Sequence, residues 1–470
     1  MNRAIFWPGA LPAVLLATLP VHAQTDQDLD AIRAELTALK AQYETRIQLL
    51  EQRLSAAEQQ LADEQQAPAT EAGANYAAAP APGPATLPAS VPVPAPANSY
   101  ASAGNEFNPA MGIILNGAYR AYEHNPEDYA IPGFPLGGET GLPDRGFSIG
   151  ESEFVFTANV DDWFFSRVTA AIEQEDGDFN TSIEEAFLDT LSLPANTTLR
   201  FGRFYSSVGY LNDKHVHSWD FADQALPYSA FMGTQYGDDG IQLRWLAPTD
   251  LYVELGAELF RGASYPAAGD AHNGRGTQTV FGKIGGDVGI SNSWTAGLSW
   301  FNADARDRDS GDEDDPLAFD GTTEILIADL VWKWAPNGNI RDRNLVFQTE
   351  YLWRNENGDY LLPTPDTPVP IDADTSGWYA QLIYQWQPGW RAGVRVDGLS
   401  LDDPGPQFTG SQLEALGDDP LRYTLMFDYS HSEFSRIRLQ FERDDTGLQN
   451  NNQLTLQYIM SLGAHGAHEF

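Results

Sequence analysis

Residues 377–396 read GWYAQLIYQWQPGWRAGVRV, and this stretch decides the fold. Before the central Gln-Pro-Gly turn, the even-numbered positions carry apolar side chains, whereas Gln381 and Gln385 stand on odd-numbered positions. After the turn the even-numbered positions are apolar again, with Arg391 and Arg395 between them. Because successive side chains of a strand point to opposite faces, the pattern predicts two antiparallel strands, each with an apolar and a polar face.

The same alternation recurs through residues 105–470, without a competing helical period. Sixteen segments show it or have a strong β composition. They are centred near Ile114, Phe154, Val168, Phe187, Phe201, Leu243, Val253, Phe281, Ala296, Ala328, Phe347, Leu382, Val394, Leu425, Leu439 and Leu456.

The connections between these segments alternate in length. The long ones are 124–145, 206–238, 262–276, 305–321, 355–375 and 401–418, and the tight ones are 160–162, 194–196, 248–250, 387–389 and 430–432. A soluble β-sandwich also alternates apolar and polar residues, but it gives no reason for this rhythm. Aromatic residues also cluster at strand ends, as at Trp163 and Trp386. We therefore predict an all-β fold, a 16-stranded antiparallel transmembrane β-barrel with short periplasmic turns and long external loops.

Composition excludes several classes of protein. The 470 residues include 27 Lys and Arg against 66 Asp and Glu, and this net charge of −39 excludes a nucleic-acid binder that works by neutralising phosphates. The absence of cysteine excludes disulfides, thiolate zinc sites, cysteine nucleophiles and a lipoprotein anchor. No apolar run of about 18 residues follows the first two dozen, which excludes a helical membrane protein.

The N-terminal hundred residues differ from the rest. Residues 1–23 have a positive start, an apolar stretch and a small-x-small ending, which predicts a signal peptide cleaved after Ala23. Residues 24–66 repeat apolar side chains at spacings of three and four, which predicts a self-associating coiled coil, with an isolated charged surface helix as the alternative. Residues 67–104 are rich in proline and alanine, which predicts an extended linker. We expect this coiled coil in the periplasm.

The end of the chain carries a resemblance. Every second residue from Leu454 to Leu462 is apolar, and Phe470 lies on the same parity. In this layout the chain resembles Gram-negative trimeric outer-membrane porins with a periplasmic coiled coil, such as the phosphate-selective and dicarboxylate porin groups. Segments 236–250 and 463–470 are also similar to uncharacterised outer-membrane proteins, some of them linked to zinc supply.

The resemblance implies a set of partners. It implies an outer-membrane location, a homotrimer, contact with the lipid bilayer and lipopolysaccharide, and recognition of Phe470 by the barrel-assembly machinery. It also implies that the third external loop folds inward to narrow the pore, and 206–238 is the longest connection. Because this loop lacks a lysine-rich stretch, phosphate selectivity is not expected.

Charged residues suggest how such a pore would be lined. Sixteen strands leave an aqueous lumen. We predict that acidic residues of the loop face arginines of the inner wall and that their transverse field orients dipolar solutes. The predicted pore-lining residues are Asp213, Asp220, Asp223, Arg391, Arg395, Arg422, Arg436 and Arg438. In the alternative, the arginines neutralise inward carboxylates such as Asp428 and Glu442.

Histidines in the same loop suggest a metal site. His215 and His217 lie near Asp213 and Asp220, and imidazole nitrogens with carboxylate oxygens suit zinc. We predict a transient zinc site there and no permanent cofactor, with backbone-bonded loop histidines as the alternative. His465 and His468 form a second, weaker pair.

The sequence therefore predicts a passive diffusion channel for small hydrophilic solutes, with assistance of zinc uptake as a finer prediction. We expect no enzymatic activity, because no Gly-x-Ser-x-Gly, phosphate-binding glycine loop or His-Glu-x-x-His motif occurs. Two alternatives stay open: a non-conducting barrel that anchors an adhesin or cell-wall tether, and an outer-membrane hydrolase whose catalytic residues are dispersed along the chain.

Overall fold

The computed structural model describes residues 109–463, except 138–139, 176–177, 269–273, 313–315, 363–366 and 417–418. The predicted signal peptide, coiled coil and linker lie outside the described residues, as do Phe470 and the His465 and His468 pair.

The described part of the chain consists mainly of β-strands. Their bounds are β1 Ala110–Tyr122, β2 Gly146–Ile149, β3 Ser152–Asn159, β4 Phe164–Glu175, β5 Asp178–Thr190, β6 Thr197–Tyr205, β7 Gly237–Leu246, β8 Tyr252–Phe260, β9 Thr277–Val288, β10 Asn292–Ser310, β11 Leu317–Trp334, β12 Asn344–Leu362, β13 Thr367–Gln387, β14 Trp390–Leu401, β15 Leu421–Ser432, β16 Ser435–Asp445 and β17 Asn451–Gly463. Within these described residues an α-helix, α1, spans Leu226–Met232. Among the described residues, no helix is both long and apolar enough to cross a bilayer.

The strands form a closed antiparallel barrel. From β3 onward each strand pairs with the next along the chain, and β17 pairs with β1, where Leu115 lies opposite Met460. Strands β2 and β3 both pair with β1 and together occupy one place in the ring, so the barrel has sixteen positions. Closure gives each of the sixteen positions a neighbour on both sides, so the described strands form a ring without a free edge, as a membrane-spanning sheet requires.

All sixteen predicted segments lie in strands, so this prediction is confirmed. Two of the predicted long connections are wrong in extent. Residues 305–321 and 355–375 are mostly strand, because β10 pairs with β11 as far as Ser310, and β12 pairs with β13 as far as Leu362. Strands β10 to β13 are therefore 18 to 21 residues long, about twice the length of β6 to β8, and the barrel wall has uneven height.

The two faces of the wall differ as predicted. On the outer face Leu382 and Val394 expose 39% and 48% of their surface, whereas Gln381 and Arg395, one residue away, expose 3% and 2% on the inner face. Long rows of apolar side chains thus cover the outside, and polar side chains face the inside. This distribution is the reverse of a soluble protein and fits a wall with hydrocarbon outside.

The tight turns lie at one end of the barrel and use local backbone chemistry. At the turn after β3, the Asp161 carboxylate accepts hydrogen bonds from the backbone N–H groups of Trp163 (2.7 Å) and Phe164 (3.0 Å). Between β13 and β14, Gly389 has φ +76°, and a Cβ there would lie 2.4 Å from the backbone oxygen of Ser430. The predicted Gln-Pro-Gly turn therefore needs its glycine.

Candidate pore constriction

The connection between β6 and β7, residues 206–236, folds into the barrel. We call it the infolded connection. Its helix α1 packs against β13 and β14, and Leu226, Tyr228 and Phe231 are completely buried. The helix ends at Met232, and the next residue, Gly233, has φ +61°, the left-handed conformation usual just after a helix. At seven residues α1 is too short to be stable alone, so contacts with the wall must stabilise it.

Glu350 of β12 anchors the first part of the infolded connection. Its Oε2 accepts hydrogen bonds from the Tyr228 hydroxyl (2.8 Å) and the Tyr210 backbone N–H (3.0 Å). Its Oε1 accepts from the Leu211 N–H (3.1 Å) and from the hydroxyl of Tyr379 on β13 (2.6 Å). One wall carboxylate thus satisfies two backbone and two side-chain donors.

Glu258 of β8 holds the start of the infolded connection in a similar way. Its carboxylate accepts from the backbone N–H of Ser207 (2.9 Å), the hydroxyl of Ser206 and the amide of Gln242 (2.6 Å). Since β8 and β12 lie apart in the ring, the connection contacts the wall at separate places.

Arg391 of β14 binds Asp220 of the infolded connection. Its Nη1 lies 2.9 Å from Asp220 Oδ1, and its Nη2 lies 2.6 Å from Oδ2 of Asp428 on β15. The guanidinium therefore bridges a carboxylate of the connection and one of the wall.

Asp223 is held by two arginines. It pairs with Arg395, which also binds Asp397 at 2.9 Å, and with Arg422 at 3.1 Å. Burial alone would raise the pKa of Asp223, but the two guanidinium groups and a hydrogen bond from Gln440 lower it below its ordinary value.

The last two arginines of the predicted set bind backbone oxygens. Arg436 donates to the carbonyl of His217 (2.8 Å), and Arg438 donates to that of Trp219 (2.7 Å). Both are almost completely buried, and both lie within 4 Å of Asp428.

The structure brings together most of the predicted pore-lining set. All five arginines lie on the inner face, with Asp220 and Asp223 in direct contact with them. Asp213 does not join them, because its carboxylate pairs with the neighbouring Lys214 at 3.1 Å. The acidic loop faces the basic wall at contact distance, so that the charges form ion pairs. Neutralisation of inward carboxylates, the alternative, also occurs, at Asp428.

The predicted metal set is only partly assembled. His215 and His217 stack with ring centres 5.8 Å apart, but Asp213 and Asp220 bind Lys214 and Arg391 instead. The structure does not bring these two aspartates to the histidines, because glutamates of the wall, distant in sequence but near in space, contact the imidazoles instead.

Glutamates of the wall surround the histidines. His217 Nδ1 lies 2.6 Å from Glu153 Oε1, and His215 Nε2 lies 2.9 Å from Glu185 Oε2. Burial disfavours a charged imidazole, but the carboxylates of Glu153 and Glu185 outweigh it and hold the pKa of His215 well above its ordinary value. Sequence reasoning missed these glutamates. A carboxylate among the apolar side chains of β3 could have indicated Glu153, whereas the largely polar β5 gives no such signal for Glu185.

Comparison with known proteins gives one clear relative. No model of a known protein family matches the sequence. A protein of Aquifex aeolicus with no characterised function is 32% identical over 343 residues, which cover 69% of this chain and 70% of the relative. The chain belongs to the family of this Aquifex protein.

Three solved structures that are similar to this chain are outer-membrane proteins. OmpT of Vibrio cholerae has a TM-score of 0.47 at 12% identity, covering 75% of this chain and 97% of that one. The outer-membrane channel DcaP of Acinetobacter baumannii has a TM-score of 0.47 at 10% identity, covering 75% of this chain and 97% of that one. An anion-selective porin of Comamonas acidovorans has a TM-score of 0.43 at 9% identity, covering 75% of this chain and 99% of that one.

Proposed function

We propose that this protein is an outer-membrane porin, a passive diffusion channel for small hydrophilic solutes. The observation that carries the proposal is the closed barrel with an apolar outer face and a polar inner face, crossed inside by a connection that wall charges hold in place. A barrel that only anchored another part would not need a charged constriction.

The charges of the constriction bear on the class of solute. The five inner arginines face five carboxylates, those of Asp220, Asp223, Asp397, Asp428 and Glu442. This near balance favours polar solutes that carry both signs or none over strongly charged ones.

Liposome swelling tests the channel. Liposomes that contain the folded protein should swell in an iso-osmotic solution of a pentose and more slowly in a disaccharide, while protein-free liposomes should swell in neither. Absence of swelling with correctly inserted protein would favour the anchor and tether alternatives.

The transverse field stays a prediction with its own test. Replacing Arg391, Arg395, Arg436 and Arg438 by alanine should shift the reversal potential in a salt gradient toward cation preference, because carboxylates of the constriction lose their counter-charges. An unchanged reversal potential in folded protein would count against it.

Assembly and zinc supply also stay predictions. Native mass spectrometry of the full chain separates the expected homotrimer from a dimer, and removal of Phe470 tests recognition by the barrel-assembly machinery. Assistance of zinc uptake predicts that cells carrying His215→Ala and His217→Ala grow worse under zinc limitation. Normal growth would remove this part of the proposal.

A further inference from the structure

Three side chains converge where the infolded connection meets the wall between β3 and β5. They are Glu153 of β3, Glu184 of β5 and His215 of the connection, and one ligand atom from each lies within 4.8 Å of the others. His215 Nδ1 lies 3.4 Å from Glu153 Oε2 and 3.3 Å from Glu184 Oε2. The side chains of the three are 0 to 7% exposed.

The converging atoms lack hydrogen bonds. Glu153 Oε2, Glu184 Oε2 and His215 Nδ1 are all buried, and within the described part of the chain none makes a hydrogen bond. Oε1 of the neighbouring Glu151 is also buried and, within the described residues, makes no hydrogen bond. The three converging atoms lie at ion-pair distance from one another but without well-aligned hydrogen bonds, and a buried polar atom that lacks one costs about 1–3 kcal/mol, so the group favours a ligand.

The charge of the cluster has the sign that favours a cation. Four carboxylates, those of Glu151, Glu153, Glu184 and Glu185, gather around the two histidines. The nearest guanidinium, that of Arg167, binds Glu185 at 3.2 Å and not the converging oxygens. Like charges crowded in a buried place repel, and a divalent cation would reduce the repulsion while it displaces the proton of His215, because only a neutral imidazole binds a metal.

The spacing fits one small ion. Zinc binds imidazole nitrogen and carboxylate oxygen at about 2.0–2.2 Å, and the edge of such a tetrahedron is about 3.4 Å. The measured 3.3 and 3.4 Å separations match two of these edges. A mixed nitrogen and oxygen donor set suits zinc, cobalt or nickel better than calcium or magnesium, which prefer oxygen alone.

The remaining atoms of the three side chains are held in place from behind. His215 Nε2 lies 2.9 Å from Glu185 Oε2, Glu153 Oε1 lies 2.6 Å from His217 Nδ1, and Glu184 Oε1 accepts a hydrogen bond from the Tyr205 hydroxyl at 3.3 Å. Such outer partners orient the ligands of protein metal sites, and histidine ligands in particular pair with carboxylates.

We propose that Glu153, Glu184 and His215 bind one divalent transition ion of the zinc class. The ion joins two wall strands to the infolded connection. It therefore fixes the constriction to β3 and β5, wall strands other than those that carry the five arginines. This role goes beyond diffusion through the pore, and binding of the ion does not depend on whether the pore conducts.

Metal titration of the purified, chelator-treated full chain tests the site. Cobalt(II) should bind at one equivalent per chain with visible absorption bands of a tetrahedral nitrogen and oxygen site, and zinc should displace it. Glu184→Gln, which keeps the shape of the side chain, and His215→Ala should each weaken zinc binding at least tenfold. Asp213→Asn, the matched control, should leave it unchanged.

Two results would overturn the proposal. One is the absence of stoichiometric cobalt or zinc binding by folded wild-type protein. The other is equal affinity in the wild type and in Glu184→Gln, with circular dichroism confirming that the barrel is intact. A readout independent of conductance is protease cleavage within residues 206–236, which zinc should slow in the wild type and in Asp213→Asn but not in Glu184→Gln.

Discussion

Asp223 lies between guanidinium groups from neighbouring strands, and its charge depends on them. Arg395 faces it from β14 and Arg422 from β15, while Gln440 and Glu442 face it from β16. A carboxylate whose pKa is lowered on folding stabilises the folded state above its unfolded pKa of about 3.9. That stabilisation is lost as the pH falls through the lower, folded value.

We therefore predict that the infolded connection stays docked at neutral pH and loosens only below about pH 4. Pepsin cleavage within residues 206–236, followed from pH 5 to pH 2, should rise below pH 4. In the Asp223→Asn variant, the stabilisation of the docked connection by the Asp223 carboxylate should already be absent at pH 7. Identical acid profiles for the wild type and the variant would contradict this assignment.

Arg395 gives a second prediction at the scale of the residue. Its replacement by alanine leaves the buried Asp397 and the half-buried Asp223 without their closest cation, which should lower the free energy of unfolding by about 3–5 kcal/mol. Arg443, whose pair with Asp445 is exposed, is the matched control, and its replacement should cost about 0–1 kcal/mol. Denaturant unfolding in detergent micelles measures the free energy of unfolding of both variants. Equal losses would contradict the claim that the buried pairs of Arg395 contribute more than the exposed pair of Arg443.

Among the elements, the infolded connection depends on Glu350. Glu350→Ala leaves the hydroxyls of Tyr228 and Tyr379 and two backbone N–H groups without their acceptor, and a buried donor left without a partner costs about 1–3 kcal/mol. We predict rapid protease cleavage of the connection in Glu350→Ala and partial protection in Glu350→Gln, which keeps an acceptor. Replacing the exposed Glu324, which binds Trp300, should have no effect there.

The strands were predictable from sequence, because their alternation is local and lipid imposes it on each strand separately. The extra length of β10 to β13 was not. Residues such as Asp320 and Asp359 read as loop, yet they lie opposite each other in paired strands. Their backbone pairing continues beyond the apolar band, where the sequence no longer alternates.

The site was predictable only in part, for a related reason. The five arginines follow from parity, which a single strand shows. The partners of His215 do not, because Glu153 and Glu184 come from strands far away in the chain, and the nearby Asp213 was the more obvious choice. Only closure of the barrel brings these groups together.

At the scale of the whole molecule, the outer face should contact lipid. Because the chain has no cysteine, single cysteines can be introduced at Val394 and Leu439, which expose 48% and 45% of their surface, and at the turn residue Glu433. Brominated lipids should quench a fluorophore attached at the first two sites and leave the third bright. Equal quenching at all three would contradict a barrel that spans the bilayer.

Single-channel conductance in planar bilayers tests most directly whether the barrel is a water-filled pore narrowed by its infolded connection. The wild type should give stable conductance steps. An Asp220→Asn, Asp223→Asn variant should give larger ones, since its connection loses the arginine contacts, and Asp213→Asn should match the wild type. Folded, inserted protein that passes no current, or steps of one size in all three proteins, would contradict the account.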